Sequence, residues 1–208
     1  VSMAMFGMAA GALWVYLKPR KFRREDAFGS LYRYSIFFAL STLVCHLIIL
    51  FTPLSTLEGW DAANLLKMTL ITLAVAIPFA FSGVVVTIAL TQVPGNSGLI
   101  YAVDLIGAAL GSLACLALLS VLDISSATIA STVVTVLAIL FFQRAKTGRS
   151  DLRWVALAAA LTIGAFVNSQ LTGGLRVFYP KGNEVAYSDQ TIENWTIHGQ
   201  ILLSPAEE

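Results

Sequence analysis

The chain has 208 residues, of which 57% are hydrophobic and only 12% are charged, against about 25% charged in soluble domains. Its mean hydropathy of +0.79 excludes an ordinary soluble domain. Its formal net charge of +1 argues nothing about nucleic acid, and no basic face with interleaved aromatics points to one. The two cysteines, Cys45 and Cys115, lie in separate apolar stretches without CxxC or ligand spacing. They read as small buried packing residues, not as a disulfide framework or a zinc site.

Hydropathy predicts about six membrane spans. The first is Val1–Tyr16, which has no positively charged leader and so does not read as an intact signal peptide; beginning inside an apolar stretch, it reads as the remainder of a truncated span. A basic loop follows, with Lys18, Arg20, Lys21, Arg23 and Arg24. The second span covers Leu31–Phe51, with Arg33 at its start and a polar stripe of Thr42, Cys45 and His46. The simplest role for His46 is an interhelical hydrogen bond. Loop 52–64 carries Glu58 and Asp61 and no Lys or Arg.

The third span is Leu65–Leu90. Pro78 within it frees the carbonyl of Ala74, which a neighbouring helix or a hydroxyl can satisfy. Loop 91–98, with Pro94-Gly95-Asn96, has turn chemistry and lacks the glycines and lysine of a phosphate cradle.

The fourth span, Leu99–Leu122, is unlike the others because Asp104 interrupts it. An ionisable group inside such a span is costly and marks a functional site by default. At helical spacing, Tyr101, Asp104, Gly107, Ala108, Gly111 and Cys115 share one stripe, opposite Val103, Ile106, Leu110 and Leu113. The small face permits close approach of another helix. Two roles stay open for Asp104: a hydrogen-bonding staple between helices, or a cation- or proton-binding group. His46 differs from it in depth by roughly 15 Å, so direct pairing is not expected. Its nearer candidate partners are Arg33, Gln92 and Tyr101.

The fifth and sixth spans are Ala127–Phe142 and Trp154–Ser169, separated by Arg144, Lys146, Arg149 and Arg153. An even number of crossings separates the two basic loops, so the positive-inside rule places both in the cytoplasm and Glu58 outside. From Gln170 the composition changes. Gly173-Gly174 breaks the helix, and L-R-V-F-Y, E-V-A-Y-S and W-T-I-H-G-Q-I-L-L-S alternate with turn signals such as Pro180-Lys181-Gly182-Asn183, as short strands do. About 38 residues are too few to bury a core alone. The predicted architecture is therefore an all-α polytopic membrane bundle of about six spans over 1–169. A short β-rich extramembrane segment over 170–208 is either a small appendage on the bundle or the start of a truncated downstream domain.

The segment Y-A-V-D-L-I-G-A-A-L-G, Tyr101–Gly111, is similar to the Y-x-x-D-L-x-G-A-x-x-G signature of the membrane-bound spermidine synthase-like proteins. Ile77-Pro78-Phe79 with Ser82-Gly83 resembles that family's P-F-x-x-S-G pattern. L-R-V-F-Y-P-K-G, Leu175–Gly182, resembles its L-R-x-x-x-x-K-G strand and turn. Trp195–Ile201 stands in place of its W-N-x-x-S-R-V/I strand, departing from it at Thr196, Gly199 and Gln200. The resemblance covers roughly residues 77–201. It implies a multi-span region preceding an aminopropyltransferase-like Rossmann domain whose cofactor-binding elements lie downstream. This segment is then expected to bind no cofactor and to catalyse no transfer, and no G-x-G-x-x-G follows a strand anywhere in it.

Three functional expectations follow. The first is a membrane-embedded, non-catalytic region of a spermidine synthase-like protein in the bacterial inner membrane, anchoring or feeding a downstream domain. The second is a small transporter or channel-like module in which Asp104 binds a cation or proton, with Tyr101 and Arg33 as the candidate partners that complete the binding site. The third is a structural subunit of a membrane complex. In each, Gly107, Gly111, Pro78 and Gly83 pack helices, the bilayer and a Rossmann domain or partner subunit are the partners, and no nucleic acid or metal is involved.

Overall fold

A computed structural model describes residues 2–52, 62–171, 174–175, 192–196 and 199–203. Six α-helices run in chain order: α1 Ser2–Leu17, α2 Ala27–Phe51, α3 Ala62–Gln92, α4 Ser97–Leu119, α5 Ile124–Thr147 and α6 Leu152–Gln170. Of these, α2 to α6 are long and apolar enough to cross a membrane, whereas α1, at 16 residues, is a shorter apolar helix. The protein is thus an integral membrane protein, with five helices of spanning length and one shorter apolar helix among the described residues.

The helix ends follow cap chemistry more than hydropathy. Asn96 accepts from the backbone N–H groups of Gly98 and Leu99, Asp123 from Ser126, and Asp151 from Arg153. Each supplies acceptors that the first turn of a helix lacks. At the other end of α5, Gly148 sits at φ 70°, the left-handed conformation that ends a helix at little cost to glycine, and its N–H reaches the carbonyl of Arg144. These caps start α4, α5 and α6 two to three residues earlier than hydropathy predicts.

The helices pack in the spatial order α1–α3–α2–α5–α6. Glycines set the first of these contacts. A Cβ on Gly7 would strike the backbone of Ala76 and Ala80 and the side chain of Phe79. One on Gly11 would strike the carbonyl of Ala80, and one on Gly83 the backbone of Met8. Backbones that approach so closely gain dispersion contacts that lipid tails do not provide. Gly83 is therefore where α3 closely approaches the backbone of α1 at Met8. This contact, Met8, lies in the short first helix between Gly7 and Gly11 in Gly-Met-Ala-Ala-Gly. α3 runs unbroken through Pro78, which is buried.

The core sits near the end of the bundle formed by the 18–26 loop. Val15, Phe22, Ala27, Leu31, Tyr34, Val84 and Ile88 are all buried together. At the same end Asp26 holds Arg33 at 2.8 Å and Lys146 at 3.5 Å, and Tyr32 meets Trp154 edge-on at 6.0 Å. The two basic loops therefore share one end of the bundle, the arrangement that an even number of crossings requires.

Two strands, β1 Ile192–Thr196 and β2 Gly199–Leu203, pair antiparallel with Ile192 opposite Leu203. A single two-stranded hairpin is marginal by itself, and it does not establish the β-rich segment expected over 170–208. The loop with Glu58 and Asp61, the segments R-V-F-Y and E-V-A-Y-S, the turn at 180–183 and His198 lie outside the described residues.

Candidate functional site

Two regions carry polar chemistry at membrane depth. The first is α4. Every one of its residues from Leu99 to Leu116 is exposed or nearly so, and none of the helix is buried within the chain. Asp104 is exposed and has no hydrogen bond or ion pair with another described residue. Tyr101, on the same stripe, is 53% exposed. A Cβ on Gly107 or Gly111 would meet nothing within 4 Å. Within the described chain these two glycines pack against no helix, unlike Gly7, Gly11 and Gly83.

Arg33 does not reach Asp104. Its guanidinium donates to Asp26 at 2.8 Å and its Nε to the carbonyl of Gly29 at 3.4 Å. Gln92, at the end of α3, does not hydrogen-bond Asp104 either. α4 diverges from α5 after the tight turn at 120–123, leaving an open cleft of about 410 Å³ lined by Gly111, Cys115, Leu118, Ala127, Thr128 and Ser131. Cys115 is exposed there, which corrects the expectation of a buried packing residue; Cys45 on α2 is buried as expected.

The second region lies at the opposite end, where α2 ends, α5 begins and α6 ends. Asp123 caps α5, and its Oδ2 accepts both the Ser126 N–H at 3.1 Å and, at 3.4 Å, the side-chain amide of Asn168 from α6. The same amide donates to Ser126 Oγ at 2.9 Å, while Asn168 Oδ1 accepts the backbone N–H of Leu175 at 2.6 Å. Asn168 thus ties α6 to the cap of α5 and to the chain beyond the helix. His46 Nε2 shares a 3.0 Å hydrogen bond with Ser125 Oγ, joining α2 to the same turn. Ser125 and Ser126 are fully buried, and Asp123 and Asn168 nearly so.

His46 also lines two apolar clefts. One, of about 300 Å³, lies against Phe38, Val75, Pro78 and Phe79; the other, of about 480 Å³, lies against Leu43, Leu161, Gly164 and Asn168. In a low-dielectric setting a polar network of this kind fixes helix register, because a buried group left unpaired is costly. Each residue in it hydrogen-bonds another, so the arrangement works as a joint among three helices. Among the described residues no group of three His, Cys, Asp or Glu side chains could hold a metal ion.

His46 shows the interhelical hydrogen bond that its place on the second span suggests. Its partner was not foreseeable from spacing alone, because 79 positions separate the two residues. Asp123-Ile-Ser-Ser126 falls in the short gap between the fourth and fifth hydropathy spans, and Asp at the start of a helix is cap chemistry that the sequence does carry. Asn168 carried no signal beyond being polar at the end of an apolar stretch. No protein-family model, curated protein or solved structure matches this chain.

Proposed function

We propose that this chain is a non-catalytic, membrane-embedded helical region of the spermidine synthase-like type, serving to anchor and position a further domain or partner. The observation that carries the anchoring role is α4. It presents Tyr101, Asp104, Gly107 and Gly111 on one face with no described residue covering it. A carboxylate facing lipid is unfavourable, and a small-residue face without a neighbour forgoes the contacts it is shaped for. Such a face is suited to another helix. The family assignment rests on the resemblance of Tyr101–Gly111 and of the Pro78-Phe79 and Ser82-Gly83 pair. Transport through this chain alone is less well supported, since Asp104 lines none of the clefts found among the described residues.

Photo-crosslinking from position 108 tests the anchoring role, with a photoreactive phenylalanine replacing Ala108 in the membrane of living cells. A protein adduct from that position is expected, whereas photoreactive residues at Val103 and Leu110, on the opposite face, give lipid adducts. Lipid adducts alone from all three positions overturn the reading. The family part is tested by sequencing the gene beyond Glu208, where a Rossmann pattern is expected.

A further inference from the structure

The chain's net charge of +1 conceals a steep separation. Residues 18–33 and 144–153 hold ten of the thirteen Lys and Arg and three of the twelve Asp and Glu, so they carry +7 and the rest of the chain −6. The fold brings these two stretches, more than a hundred positions apart, to one end of the bundle. Asp26 is where they meet, and its single carboxylate is shared between Arg33 at 2.8 Å and Lys146 at 3.5 Å. One of those two cations is left without a compensating charge.

The depth of the rim is marked by aromatic rings. Lys21 Nζ lies 4.8 Å from the centroid of Trp14 and 5.9 Å from that of Tyr34. On the other stretch, Trp154 packs edge-on against Tyr32 beside Arg153. Trp and Tyr settle at the headgroup level of a bilayer, with apolar ring and polar edge each in its own medium. A lysine held over such a ring is held at headgroup depth, not projected into the aqueous phase where a soluble protein or nucleic acid would meet it.

We propose that this rim is a binding surface for anionic phospholipid headgroups, with Lys21 beside Trp14, and Lys146 beside Arg33, as its principal contacts. The charge sign, the excess of cation over carboxylate and the interfacial aromatics match a phosphodiester with a net negative charge. A zwitterionic headgroup would bring its own cation to a surface that already has too many.

Tryptophan quenching tests this in the intact chain. Trp60→Phe and Trp195→Phe leave Trp14 and Trp154 as reporters, both beside the rim. The protein is reconstituted in phosphatidylcholine vesicles in which a fraction of the lipid is replaced by brominated phosphatidylglycerol or by brominated phosphatidylcholine. Phosphatidylglycerol is expected to bind beside the reporters about fivefold more strongly than phosphatidylcholine, the scale of one lysine–lipid contact. That preference should fall towards unity at about 1 M salt, where the screening length is about 3 Å, and in the Lys21→Gln/Lys146→Gln variant. Equal quenching by the two lipids in the parent protein overturns the proposal, as does a preference that survives both high salt and the double substitution. The salt arm uses the unaltered rim, so the result does not hinge on how well the variant folds.

Discussion

His46 and Ser125 meet at 3.0 Å across 79 positions of sequence, and through them the end of α2 is fastened to the first turn of α5. The adjacent Ser126 and the capping Asp123 are fastened in turn to Asn168 on α6. Three helices therefore converge on one cap, and the strength of that convergence can be graded by substitution.

Ser125→Ala removes one hydrogen bond and leaves the imidazole without its partner. Asn168→Ala removes three, to Asp123, Ser126 and Leu175. Interhelical hydrogen bonds in membranes are worth about 0.6 kcal/mol on average and up to about 2. Thermal unfolding in detergent should show both variants destabilised, Ser125→Ala by about 1 kcal/mol and Asn168→Ala by about twice that. If Asn168→Ala unfolds no more readily than Ser125→Ala, the amide is not the centre of the joint.

Two Gly-x-x-x-Gly pairs in this chain should respond oppositely to bulk. Gly11→Leu drives a side chain into the carbonyl of Ala80, whereas Gly107→Leu enters open space. The first should separate α1 from α3 and cost several kcal/mol, in the range of severe overpacking. The second should leave the unfolding midpoint of the isolated protein within about 1 °C of the parent, since a substitution without neighbours changes stability little. Equal losses from both would mean that α4 is packed as tightly as α1.

The contrast between these pairs shows what was legible. Gly-Met-Ala-Ala-Gly in α1 and Gly-Ala-Ala-Leu-Gly in α4 have the same spacing, and only the second has an acidic residue, Asp104, on its stripe. Spacing shows that a helix can be approached closely, not which helix approaches it. The spans were legible because burial in lipid demands long apolar runs, and their ends shifted where Asn96, Asp123 and Asp151 capped the first turn. The joint at Asp123 was not legible, since its members lie on α2, α5 and α6 and each alone is an ordinary polar residue.

The shared end of the two basic loops makes orientation testable. With Cys45 and Cys115 replaced by Ala, single cysteines at positions 20 and 146 should resist a membrane-impermeant maleimide in intact cells and react after lysis, while a cysteine at 58 reacts in both. Positions 20 and 146 must behave alike in any case, because Lys146 and the 18–26 loop meet at Asp26. Labelling of 20 and 146 in intact cells reverses the orientation; labelling of only one of them contradicts the fold.

Asp104 offers the sharpest division between roles. Its side chain touches no described partner, so neither Asp104→Leu nor Asp104→Asn should unfold the isolated bundle. Leucine also removes a charge that costs about 3 kcal/mol at mid-membrane, and should if anything raise the unfolding midpoint. The readout that matters is the protein adduct from position 108. If α4 is an anchoring face, leucine should abolish the adduct while leaving stability intact, because the incoming helix loses its hydrogen-bonding partner. Asparagine keeps the shape and the acceptor oxygen but discards the titratable charge. An adduct retained by asparagine identifies Asp104 as a neutral hydrogen-bonding staple. An adduct lost in both variants shows that the carboxylate itself is recognised, by a cation or a basic residue on the partner. An adduct that persists undiminished with leucine would leave the carboxylate without a part in assembly, and the face would have to be reassigned to Gly107 and Gly111 alone.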